Sequence, residues 1–150
     1  MRTPWFIVLV ACCVLCVAPL RALADVSIAG GAYVSNPPSL AGGAVLVSSA
    51  ASVPVLPIEV QGTVLVPISK QGGYALTAEV RGLSGGGFGG AYVGAGVGVG
   101  DLSVDKSTGV AATVFVGKPV GPRITVEIRA YRGIQSNGTT AGFLGFRFSL

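Results

Sequence analysis

Arg123-Ile-Thr-Val-Glu-Ile-Arg-Ala-Tyr131 sets Ile124, Val126, Ile128 and Ala130 in alternation with Thr125, Glu127, Arg129 and Tyr131. A period of two belongs to an extended strand with one apolar and one polar face, because successive side chains leave a pleated backbone on opposite sides. Tyr74-Ala-Leu-Thr-Ala-Glu-Val-Arg-Gly82 follows the same pattern, with Leu76, Ala78 and Val80 on one face and Thr77, Glu79 and Arg81 on the other. Both segments carry a T-x-E-x-R series, beginning at Thr77 and at Thr125.

The likeness extends past each strand. Ala91-Tyr-Val-Gly-Ala-Gly-Val97 lines up loosely with Gly142-Phe-Leu-Gly-Phe-Arg-Phe148, so a strand, a loop and a second strand occur twice. Repetition on this scale predicts an architecture built by stacking like hairpins. Val26 to Ser35, Gly43 to Val53, Ile58 to Ile68 and Val110 to Gly117 complete a set of eight predicted strands. Gly43 to Val53 alternates poorly and reads equally as one bent strand or a loop. Between the strands lie turn-forming stretches: Asn36 to Ser39, Pro54 to Pro57, Lys70 to Gly73, Ser84 to Gly87, Asp101 to Gly109, Lys118 to Pro122 and Ser136 to Gly138. No helical period emerges after residue 25.

Gly89-Gly-Ala-Tyr-Val-Gly-Ala-Gly-Val-Gly-Val-Gly100 has three competing interpretations. With the residues before it, Gly85 to Gly90 satisfies G-x-G-x-x-G, but a phosphate loop needs a helix N-terminus behind it, and a period-two segment follows instead. A flexible linker would favour serine and polar residues. Ala91, Val93, Ala95, Val97 and Val99 hold their alternation through the glycines, so the stretch is a strand whose other face, at Gly94, Gly96, Gly98 and Gly100, is bare backbone.

Of the 150 residues, 51% are hydrophobic and 11% charged, few charges for a soluble surface. Met1 to Ala24 has the form of a secretory signal: Arg2, an apolar run from Trp5 to Val17, and Ala22-Leu23-Ala24 as the cleavage site. The domain division is therefore 1–24 as signal and 25–150 as the mature unit. Leu9-Val10-Ala11-Cys12 offers a lipobox-like alternative, and a retained anchor is disfavoured because the run is short for a span and Arg21 follows it. All three cysteines lie in this leader and the chain has no histidine, so thiolate and imidazole metal sites and disulfides are not expected of the mature form. Without Arg2 and Arg21 the 10 basic residues become 8 against 6 acidic ones, a net charge of +2. These cations form no cluster, which argues against a nucleic-acid partner.

Alternation fits two architectures. In a soluble sandwich the apolar face is the core; in a membrane barrel it meets lipid, and the polar face fills the lumen. Three features favour the barrel. The apolar set, Val93, Val97, Ile124, Val126, Ile128, Leu144, Phe146 and Phe148 with Ala91, Ala95, Val99, Val110, Val114, Val116 and Leu150, contains no charge. The strand charges Glu59, Glu79, Arg81, Glu127, Arg129 and Arg147 fall on the other face, three acids balanced by three arginines, as ions in a closed lumen require. Strands of roughly nine to eleven residues cross a bilayer core when tilted. The expected fold class is an all-β, antiparallel, up-and-down transmembrane barrel of eight strands.

The signal, the Gly/aromatic strands and the ending Gly142-Phe-Leu-Gly-Phe-Arg-Phe-Ser-Leu150 resemble the small bacterial outer-membrane β-barrel proteins, the eight-stranded OmpA/OmpX type. The resemblance implies residence in the outer membrane, outer-membrane lipid as surroundings, insertion by the assembly machinery through the C-terminal strand, and a monomer. The chain departs from the family in closing on Leu150 where an aromatic residue is usual.

Candidate chemistry is sparse. Barrel enzymes of this class generally use histidine as a base, which is absent here, and no serine sits in a G-x-S-x-G elbow. Glu79 and Glu127 could serve as an acid and base pair, but arginines two residues away favour ion pairing. No enzyme and no cofactor is expected. An eight-stranded interior is just filled by side chains, which favours a structural or surface-contact role over a wide pore. Tyr33, Tyr74, Tyr92 and Tyr131 suit an aromatic belt or the lumen equally. The alternative is a soluble β-sandwich or calycin-like barrel, periplasmic or secreted, binding an apolar ligand.

Overall fold

The computed structural model describes residues 25–36, 40–53, 56–68, 73–83, 90–102, 108–134 and 139–150. The signal at 1–24, its lipobox-like alternative, and the glycine loop 85–89 lie outside the described residues. Eight strands are present: β1 (Asp25–Asn36), β2 (Leu40–Ser52), β3 (Ile58–Ile68), β4 (Tyr74–Leu83), β5 (Tyr92–Asp101), β6 (Gly109–Pro119), β7 (Ile124–Gly133) and β8 (Thr140–Ser149). Each pairs antiparallel with its neighbours in chain order, and β1 pairs with β8 from Ser27 opposite Ser149 to Asn36 opposite Thr140. The sheet thus closes on itself and leaves no unpaired edge. The Leu150 amide donates to the Val26 carbonyl at 2.9 Å, carrying the seam to the last residue.

At the β6–β7 turn, the Val120 and Gly121 amides both donate to the Ile124 carbonyl, at 2.9 and 3.2 Å. Gly90, just ahead of β5, has a φ of 77°, a left-handed conformation that glycine adopts without a Cβ clash.

Alternation decides the faces. Ala75, Thr77, Glu79 and Arg81 point inward on β4, Ala111, Thr113 and Phe115 on β6, and Glu127, Arg129 and Tyr131 on β7, all buried. The intervening residues point out. Gly43 to Val53 belongs to one unbroken strand, β2. Its alternation is faint because Ala44, Leu46, Ser48 and Ala50 fill the lumen opposite the equally apolar or small Val45, Val47 and Ser49 on the outer face.

Two expectations change. The hairpins β4–β5 and β7–β8 exist, but they are not stacked copies: β4–β5 closes at the end holding both termini, and β7–β8 closes at the other. The two T-x-E-x-R series consequently run in opposite directions along the lumen wall. The strands also outrun their apolar alternation, so four further charges stand at strand ends, Asp25, Lys118 and Arg132 exposed and Asp101 half-buried.

Candidate functional site

The lumen has two halves. Counted from the end that holds the termini, Glu59, Glu79, Arg81, Glu127 and Arg147 lie in the nearer half of their strands, and Arg129 just past the middle of its own. Leu46, Leu65, Tyr33, Tyr131 and Phe143 lie further along and pack into one buried apolar cluster with Ala44, Ala75, Ala111 and Ala141. An ionic half is followed by an apolar half.

Opposed strand directions build the ionic half. Arg129 Nη1 lies 2.6 Å from Glu79 Oε1, joining β7 to β4, while its Nε donates to Glu127 on its own strand. Arg147 on β8 reaches Glu127 Oε2 at 3.1 Å and Gln61 Oε1 on β3 at 3.4 Å. Glu79 also accepts from Thr63 at 3.0 Å and from Gln61 and Thr77. Glu127 also accepts from the Tyr92 hydroxyl. The side chains of Glu79, Glu127 and Arg129 are 0% exposed, which makes pairing obligatory: an ion without a partner in such surroundings would cost several kcal/mol, on the order of 3–5. Arg81 and Glu59 form a separate pair nearer the rim, 10% and 16% exposed. Aromatic faces complete the setting, with the Arg129 guanidinium 4.2 Å from the Phe115 ring centroid and that of Arg81 4.9 Å from Tyr92.

Gln61, Thr63 and Phe115 are lumenal partners that the sequence reading does not single out, whereas Thr77 is on the face of Glu79 from alternation alone. Period-two parity could have found Gln61, two residues from Glu59. Nothing in the sequence links Tyr92 to Glu127, since that contact depends on register across β5, β6 and β7. Of the four tyrosines weighed for a belt, Tyr33, Tyr92 and Tyr131 are buried in the lumen. Tyr74 alone of them is on the outer parity, its hydroxyl 3.1 Å from Thr108 Oγ1.

The glycines of β5 make room for this network. A Cβ at Gly96 would stand 2.5 Å from both the Ala78 carbonyl oxygen and Glu79 Cγ, and one at Gly94 would enter the Phe115 ring. Ala95, between them, is exposed on the outer face. Gly96→Val is expected to cost about 1–3 kcal/mol through overpacking, and Ala95→Val to stay within about 0.5 kcal/mol. Urea unfolding of the two refolded variants tests this; equal losses would contradict the assigned faces.

Away from the strand ends, the outer face is predominantly apolar on every strand. Exposed large side chains include Ile28, Val45, Val60, Val80, Val93, Val97, Val114, Ile128, Leu144, Phe146 and Phe148, the last three 53%, 53% and 46% exposed. Ile124 and Val126 share this parity but are half-covered. Val126 is the third residue of β7 and pairs with Lys118, which sets it near the end of the strand rather than at mid-span.

No protein-family model matches the chain, and no curated protein matches it in sequence. Among solved structures it is similar to Neisserial surface protein A (NspA), with a TM-score of 0.62 and 17% identity over 84% of this chain and 96% of that one. De novo designed transmembrane β-barrels match with a TM-score of 0.49 and 10% identity over 87% of this chain and 98% of that one. At 17% identity the likeness to NspA carries the fold alone: this chain is an all-β, closed, eight-stranded antiparallel barrel, similar to those of bacterial outer-membrane proteins.

Proposed function

We propose that the mature chain is an integral outer-membrane β-barrel of the small eight-stranded type, with a structural role in envelope integrity or surface contact. The observation that carries this is an inversion of polarity: Glu79, Glu127 and Arg129 are enclosed, while large apolar side chains are exposed on all eight strands. Such a surface is costly in water, at roughly 25 cal/mol per Å² of apolar area, and costs nothing in lipid. A soluble ligand-binding barrel would need the reverse, a wet polar exterior around an apolar cavity.

In this proposal the lumen is a plug and the carboxylates are ion-pair partners, not an acid and base pair. Met1 to Ala24 directs export, the strand ending at Leu150 is read by the assembly machinery, and the barrel stands as a monomer in lipid. Cell fractionation with a gel run before and after boiling tests the location. A band in the outer-membrane fraction that shifts on heating is expected; release into the soluble periplasm or medium, with no heat-dependent shift, would sink the proposal.

A further inference from the structure

Water reaches the two ends of the lumen unequally. At the end holding the termini, the side chains of Glu59 and Arg81 are 16% and 10% exposed. From there exposure falls inward, to 3% at the Arg147 side chain and 0% at those of Glu127 and Arg129. At the far end, Leu102 just past β5 and Thr139 just ahead of β8 are both buried. Past Arg129, every buried polar side chain among the described residues is neutral.

The apolar cluster fills that second stretch from all sides. Leu46 on β2 is opposite Leu65 on β3, Tyr33 on β1 is opposite Phe143 on β8, and Tyr131 comes from β7, all of them buried. β4 and β6 add Ala75 and Ala111 to the same cluster. β5 offers only Gly98 and Gly100 there, where its backbone lies so close to β4 that an added Cβ would run into the Leu76 and Tyr74 carbonyl oxygens. An ion entering the ionic half meets carboxylates and guanidinium groups that can replace lost water. In the apolar half it would find two tyrosine hydroxyls and no charge, and a dry apolar constriction is a barrier to ions.

We propose that the apolar half, and not the ion network, is the permeability seal of the barrel. Ions are stopped at the level of Leu46, Leu65 and Phe143, and the ionic half is a blind vestibule entered from the end that holds the termini. The inference rests on the membrane reading above and adds to it where the lumen is closed and by which chemistry. It also separates two roles within one interior: the charges hold the strands together, while the apolar side chains keep the membrane tight.

Conductance of the mature barrel across planar lipid bilayers tests this, with folding of each variant checked first by the heat-dependent gel shift in lipid vesicles. The wild type is expected to give no current steps above those of lipid alone, and so are Arg81→Ala and Arg147→Gln, which thin the ion network and leave the apolar layer whole. Leu65→Ser and Phe143→Ala, which open that layer, are each expected to produce discrete steps. Current through Arg81→Ala or Arg147→Gln, or none through folded Leu65→Ser and Phe143→Ala, would overturn the proposal. Should those two fail to fold, Leu46→Ser decides from the neighbouring strand. A wild type that inserts and conducts would defeat the seal alone, whereas one that shows no folded band in any vesicle would defeat the membrane reading and the seal with it.

Discussion

Arg129→Ala is expected to destabilise the barrel by about 3–5 kcal/mol, because it strands two buried carboxylates at once. Among the described residues, Glu79 loses its only cation and Glu127 keeps only Arg147, at 3.1 Å. Arg81→Ala provides the contrast. Its pair with Glu59 stands nearer the rim and is partly exposed, so water can take over and the loss should be about 1 kcal/mol or less. Urea unfolding of refolded protein, followed by tryptophan-independent far-ultraviolet circular dichroism, compares the two. Equal and small losses would show that the lumen is wet, and the closed plug would have to be abandoned. Arg129→Lys is informative beside them, since an ammonium cannot reproduce the forked reach to Glu79 and Glu127 together.

The second large effect concerns the outer face. Val97→Arg places a charge at the middle of β5, between Ala78 and Ala112 on the neighbouring strands, where the native side chain is 61% exposed. If lipid lies there, insertion should lose about 2–4 kcal/mol, the range for arginine near the bilayer midplane. Val126→Arg should lose only about 0–1 kcal/mol, because that position stands close to the strand end beside Lys118 and a long side chain there can reach the interface. Folding yields of both variants into lipid vesicles measure the difference. Identical yields would mean that depth along the strand is immaterial, as it would be for a surface facing water.

Strand existence and face were legible from residues because both rest on local pattern. Ile124 to Ala130 and Leu76 to Val80 announce their faces through alternation alone, and the two matching series also predicted which charges share a side. β2 was obscure for a reason the structure supplies: of its inward residues Ala44 and Leu46 belong to the apolar cluster and Ser48 and Ala50 are small, so the contrast that reveals a strand vanishes there. Pairing was only half legible. The spacing of Glu127 and Arg129 suggests the contact they make, yet the same spacing in β4 misleads, since Glu79 binds Arg129 and Arg81 binds Glu59. Which guanidinium meets which carboxylate depends on strand direction and on closure of the barrel, and neither is written in any single segment.

The reach of these contacts bears on the order of assembly. Glu79 and Arg129 are 50 residues apart, and Arg147 and Gln61 are 86 apart. Contacts of such separation must overcome loop-closure entropy before they return any energy. Arg147 comes from β8, the strand whose pairing with β1 seals the cylinder. The ionic network is therefore expected to act as a late latch: weakening it should leave the rate of folding nearly untouched and hasten escape from the native state.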